Sequence, residues 1–185
     1  NGCRAIREVI LSSGVDPSRI LGIGCAGHGN GLYLLDKEMR VLKGIQSLDS
    51  RACDIATELD QENGAALQAR CLQRPWPSQT PTLLAWVKRH EAALYARIGA
   101  VLFCKDYINF CLTDRLTNDI SDLSGAGLLA MPESVLDEAL LSLYHLEDAL
   151  SFFPDRVESA EIVGRVSAKA AQATGLAEGT PVIGG

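Results

Sequence analysis

The chain has 185 residues, 47% of them hydrophobic and 22% charged, a balance that excludes disorder, collagen-like repeats and low-complexity architecture. Its formal net charge of -6 leaves no broad basic field for a nucleic-acid backbone. No apolar run approaches the ~20 residues of a membrane helix. Neither a nucleic acid nor a membrane is therefore an expected partner. The length suits one domain or slightly more, large enough to close a core without metal or disulfide. Six cysteines stand at 3, 25, 53, 71, 104 and 111, with no CxxC pair and no zinc-finger spacing. They read as buried free thiols in a reducing cytoplasm.

In chain order, Ala5, Ile6, Val9, Ile10 and Leu11 recur at helical spacing over 4–13, and Gly14 ends that helix. VDPSR is a turn. Ile20–Cys25 is an apolar run that reads as a buried strand, followed by the glycine-rich loop AGHGNG over 26–31. LYLLD and VLKGIQSLD flank a polar turn and predict a β-hairpin. Residues 51–70 predict a helix broken near Asn63-Gly64. The three prolines of CLQRPWPSQTP predict a loop. A helix over 82–90 follows, with Thr80 or Thr82 as N-cap, and a second over 91–98. Ala100–Cys104 predicts a strand, and Asp106 caps a helix over 107–112. NDISDLSGAG predicts a polar loop and GLLAM a short strand. Helices are expected over 133–143, 146–152 and 168–174, the last stopped by Gly175. An extended stretch separates the last two, and Pro181–Ile183 begins a strand.

Several groupings carry chemistry. Gly22 to Gly27 matches GxGxxG, but the following GLYLLD reads as a strand, whereas a dinucleotide turn must open a helix. No P-loop and no GxSxG elbow occurs. His28 and Asn30 stand at the end of an apolar segment, between residues with almost no side-chain bulk. Each offers both donors and acceptors, which suits a polyhydroxylated ligand; either can equally serve to tie down the loop. Trp76, in a proline-bounded loop, can stack on a sugar ring or cover the core. Asp49 and Arg51 can pair. His90 and His145 read as surface residues. The oxygens of Asp119, Ser121, Asp122 and Ser124 suit a turn network better than an EF-hand.

Five blocks, in order, resemble the FGGY carbohydrate kinases. SQTPTLLAWVKRH (78–90) resembles the first signature of that family, with Leu83 at the family's lysine. ILGIGCAGHGNGLYLLD (20–36) resembles its sugar-contacting strand and loop. GIQSLDSRA (44–52) resembles LWxDxRA, with Ser47 where tryptophan is common. CKDYINFCLTDRLTNDISDLSGAG (104–127) resembles KDYxxxxLTGxxxTDxSxAS, and 161–185 resembles the segment ending GTPVxxGxxD. Within the family the likeness leans toward kinases of pentuloses, the L-xylulose type.

The resemblance implies an α/β, ribonuclease-H-like (actin-like ATPase) fold, with 1–185 an incomplete N-terminal, sugar-binding domain. It implies ATP and Mg2+ as cofactors, transfer of a phosphoryl group to a ketopentose or polyol, cytoplasmic location and association into homodimers. His28, Gly29 and Asn30 fall on the sugar-contacting loop and Trp76 near a loop that closes over substrate; Asp119 falls in a scaffold block. No catalytic residue is assigned within the chain, because the general-base aspartate is expected just after Gly185. The family's first strands and nucleotide-binding domain are expected outside residues 1–185, so these residues alone are expected to be inactive and poorly soluble through unpaired sheet edges. A non-catalytic sugar-binding or interaction module of the same fold is the alternative.

Overall fold

The computed structural model describes residues 2–185. Helix α1 covers Gly2–Ser13. Strands β1 (Leu32–Asp36) and β2 (Val41–Ile45) form the expected hairpin. Helix α2 (Cys53–Cys71) and helix α3 (Thr80–His90) follow, then the short α4 (Ala92–Tyr95) and strand β3 (Ile98–Leu102). Helix α5 (Cys104–Thr113) leads to β4 (Asn118–Asp119) and α6 (Ile120–Gly125). The chain continues through α7 (Glu138–Ser142), β5 (Arg156–Val157), β6 (Ile162–Arg165), α8 (Ala168–Thr174) and β7 (Pro181–Ile183).

Three small sheets result. The largest has the order β2-β1-β3, with β1 antiparallel to both neighbours. Its period-2 alternation splits two apolar faces. Leu32 and Leu34 face the main core with Ile55, Leu59, Leu83, Leu84 and Phe103. Leu35, Ala100 and Leu102 face the other way, against Tyr107, Phe110 and Leu116. A separate core gathers Leu112, Val163, Val166, Ala170, Leu176 and Val182, with Ile6 and Ile10 of α1 packed on its outside. Helix α5 thus touches every apolar cluster but the main one. No helix among the described residues is long and apolar enough to cross a membrane.

Several expectations are corrected. Ile20–Cys25 is not a buried strand. Only Ile23 bridges, in parallel, to Val182, and Leu21 stays 89% exposed because no element covers its side. Helix α2 runs unbroken through Gly64, whose missing side chain leaves room for Asp60 and Arg74. Asp106 does not cap a helix from 107. Helix α5 starts at Cys104 and places Asp106 inside its first turn. Neither threonine caps α3; Gln79 holds the N-cap position. NDISDLSGAG is β4 and α6 rather than a polar loop, with Asn118 and Asp119 fully buried. The helices expected over 91–98, 133–143 and 146–152 shrink to α4, α7 and a 3-10 turn at Leu150–Phe152. GLLAM forms only a bridge from Ala130 to Val135. All six cysteines are free, but only Cys71 is buried.

Core position, more than hydrophobicity, decides what a leucine contributes. Leu84→Ala should lower unfolding free energy by roughly 2–5 kcal/mol in urea titration. Leu21→Ala should leave it within about 0.5 kcal/mol.

Candidate functional site

Four segments converge at one place: the glycine-rich loop, the first turn of α5, the β4–α6 junction, and the exit of β7. Their meeting point is a charged cluster. The Lys105 ammonium lies 3.2 Å from Asp106 Oδ1, 3.1 Å from Asp122 Oδ2 and 3.5 Å from Asp119 Oδ2. The lysine side chain is only 8% exposed. Asn118 Nδ2 donates to Asp106 Oδ2 at 3.0 Å and to the Val101 carbonyl at 3.3 Å. Asp119 Oδ1 accepts from the Ser121 amide and hydroxyl and, at 3.1 Å, from the Ser159 hydroxyl. Asp119 Oδ2 and Asp122 Oδ2 are buried, and among the described residues Lys105 is the only cation close to them.

The electrostatics follow from one cation shared by three acids. Burial pushes the Asp106 and Asp122 carboxyls up, against the pull of Lys105. Burial opposes ionisation of Asp119 as well, but Ser121, Ser159 and Lys105 outweigh it and hold that carboxyl below its ordinary range. Burial also works against the Lys105 ammonium, and the carboxylates overcome it, so its proton is held more tightly than usual.

The loop closes over this cluster. A Cβ on Gly29 would lie 3.7 Å from Asp122 Oδ1, an ordinary van der Waals contact, so Gly29 lies directly beside that carboxyl. His28 is exposed, and its Nε2 lies 2.9 Å from the Tyr33 hydroxyl. Burial and the neighbouring Cys104 push that phenol up to about 12. Asn30, at φ +62°, spends its carboxamide on the scaffold. Its Oδ1 accepts from the Thr80 amide at 3.3 Å and its Nδ2 donates to the Gly125 carbonyl at 3.4 Å. It supplies the side-chain acceptor that the N-terminus of α3 lacks from its own Gln79. The Gly31 amide donates to the Ser78 carbonyl at 3.3 Å, and the Thr80 hydroxyl donates to the Gly31 carbonyl at 2.7 Å. Gly31 sits at φ +75°, with the Ile45 carbonyl 2.7 Å from where a Cβ would stand. Trp76 is half-buried in the loop that reaches Ser78.

The β7 exit is clamped from α5. Asn109 Nδ2 donates to the carbonyls of Ile183 at 3.1 Å and Gly184 at 3.0 Å. A Cβ at Gly185 would fall 2.5 Å from Lys105 Cε, so the backbone here lies flat against the lysine stem. The sequence reading missed Lys105, Asp106 and Asn109 as site residues. Their signal was a Lys-Asp pair opening a helix directly after a buried strand. Away from the site, Asp49 and Arg51 pair as expected at 2.8 Å, which holds Asp49 down to about 2. His90 and His145 are exposed.

Among solved structures, the xylulose kinase from Rhodospirillum rubrum is similar over 97% of this chain and 37% of its own, with TM-score 0.89 and 31% identity. The Plasmodium falciparum glycerol kinase with ADP has the same fold at 16% identity and TM-score 0.86. The fold class is therefore the ribonuclease-H-like, actin-like α/β fold of the sugar kinases. The model of the FGGY family of carbohydrate kinases, N-terminal domain, matches residues 2–185, and the chain belongs to that family. The probable L-xylulose kinase of Pasteurella multocida is 38% identical over 98% of this chain and 38% of its own length. The L-xylulose/3-keto-L-gulonate kinase of Escherichia coli K12 is 38% identical over 97% and 36%. The chain thus spans well under half the length of these relatives.

Removing the shared cation should expose its importance. Lys105→Met leaves the buried carboxyls without counter-charge and should cost roughly 3–5 kcal/mol at neutral pH. Asp106 and Asp122 have raised folded pKa values, so the stability linked to them is present at low pH and lost as pH rises. Without the ammonium, their pKa values should rise further. The deficit of the variant should therefore shrink on going from neutral to acidic pH, as these groups take up protons. Urea denaturation at the two pH values reads both effects.

Proposed function

We propose that residues 2–185 form the sugar-facing part of an ATP-dependent kinase that phosphorylates a hydroxyl of a ketopentose or a related polyol. The observation that carries this reading is the FGGY N-terminal match across the whole described chain, joined by 38% identity to two kinases of L-xylulose. The charge cluster supports it through Asp122 Oδ1, which lies beside Gly29 of the exposed loop, because a hydroxyl donating to an ionised acceptor forms a strong hydrogen bond. His28 and Gly29 shape the loop above, Asn30 holds the loop in place, and the family resemblance alone assigns Trp76 to a segment beside the substrate.

The same cluster does not suit a polyphosphate, since its one cation is already surrounded by carboxyls. No group of three or more His, Cys, Asp or Glu among the described residues is arranged to hold a metal ion. In this reading neither ATP nor Mg2+ is held by residues 2–185. In this reading the nucleotide-binding domain and the general base lie outside these residues, with the base on the segment that continues from the clamped Gly184-Gly185 exit. Residues 2–185 then bind and orient the sugar and exclude water beneath the loop, and phosphoryl transfer depends chiefly on that positioning.

The test is to express the full-length product of the gene and follow ADP release with L-xylulose, D-xylulose and glycerol. Turnover on a ketopentose is expected, and a polypeptide of residues 2–185 alone should show none. Absence of ADP release by the full-length product with every sugar or polyol tried would overturn the reading.

A further inference from the structure

The end of β7 is held more completely than strand pairing requires. We infer that Asn109 is a positioning residue: its carboxamide fixes where the chain leaves β7, and so sets the distance from the glycine-rich loop to the segment that follows Gly185. The inference rests on the proposed reading, in which that segment brings the base to the sugar hydroxyl, and deepens it.

Strand β7 pairs with β6 as far as Ile183, opposite Ile162. Past that point every polar group of the exit still has a partner. The Gly184 amide donates to the Glu161 carbonyl at 3.0 Å, and the Gly185 amide to the Ser159 carbonyl at 2.9 Å. The carbonyls of Ile183 and Gly184 accept from Asn109 Nδ2 at 3.1 and 3.0 Å. The Lys105 stem lies under Gly185, with Cε 2.5 Å from where a Cβ would stand. That stem cannot swing aside freely, because its ammonium is held among Asp106, Asp119 and Asp122.

Asn109 itself is 1% exposed, and its Oδ1 is buried with no donor among the described residues. An unsatisfied buried acceptor costs stability, and asparagine is a poor helix former. Neither packing nor propensity therefore accounts for this residue inside α5; the two bonds to the exit do. The same helix seats the loop. A Cβ on Gly27 would lie 3.2 Å from the Lys105 backbone nitrogen and 3.3 Å from Cys104 Cβ. The loop thus rests on the first turn of α5, and the exit on Lys105 and on Asn109 one turn further along. One helix fixes the spacing between them. A general base works only within hydrogen-bond reach of its proton, and a small misplacement costs much of the rate. A shifted exit should therefore slow turnover and leave sugar binding at the loop intact.

The test uses the full-length gene product with L-xylulose. Calorimetry without ATP gives the sugar affinity and the fraction of binding-competent sites, and ADP release gives kcat per competent site. Asn109→Ala should lower that kcat on the order of tenfold or more, with sugar affinity within about twofold. Gly185→Ala pushes the same exit off the Lys105 stem from an exposed position, and should act alike even where Asn109→Ala fails to fold. Leu141→Ala truncates the main core and touches no exit contact, so it should lower only the competent fraction. A folded exit variant that keeps its kcat, that loses sugar affinity along with it, or that is matched in kcat by Leu141→Ala overturns the inference. Such a result with ADP release by the unmutated protein removes this inference alone. No ADP release by the unmutated protein with any sugar removes the kinase reading as well.

Discussion

The ammonium of Lys105 among three carboxyls is the interaction on which the architecture turns. A charge taken out of water costs several kcal/mol unless it is paired and hydrogen-bonded. Each neighbour of the cluster answers that requirement. Asn118 gives its amide to Asp106, and Ser121 and Ser159 give their hydroxyls to Asp119. Those donors come from β4, α6 and the turn before β6, segments separated by up to 41 positions in the chain (118 to 159). Charge satisfaction therefore brings together parts of the molecule that apolar packing alone would leave independent.

Helix α5 is the member through which this happens. Its first turn carries Lys105 and Asp106, its middle carries Tyr107 and Phe110 against the sheet, and its end carries Leu112 into the smaller core. Asn109, on the same helix, grips the strand exit at Ile183 and Gly184. One ten-residue helix thus links the sheet, the smaller core and the site. The main core, in contrast, is built from one face of the β2-β1-β3 sheet, α2, α3, α7 and the loops around it, and supplies the wall against which the loop is anchored.

The sequence was most legible where one physical signal dominated. The LYLLD–VLKGI hairpin, α3 and α8 each follow from a clean apolar period and a turn or glycine stop. It was least legible where buried polarity imitates exposure. NDISDLSGAG has the composition of a solvated loop, yet Asn118 and Asp119 are wholly buried, because Asp106 and the Val101 carbonyl accept from Asn118 while Lys105, Ser121 and Ser159 satisfy Asp119. Asp106 looked like a cap because a helix-opening aspartate is usually one; its true partner is the adjacent lysine. The opposite error occurred at Ile20–Cys25, where an apolar run suggested burial but only Ile23 finds a strand partner. For the site, the resemblance directed attention to His28, Gly29 and Asn30. Which groups lie beneath them depends on a chain crossing that no local pattern encodes.

The anchoring of the loop by Asn30, Gly31 and Thr80 has a thermodynamic consequence. A glycine-rich segment is ordinarily an entropic liability, because a free one must be frozen each time a ligand arrives. Here that ordering has been completed during folding, through contacts to α3 and to Gly125 that no ligand needs to supply. The loop keeps the thinness that glycine gives, and any ligand of the proposed site would meet it already shaped. Association then loses little to conformational restriction, and a small, weakly held molecule retains more of its interaction energy as affinity.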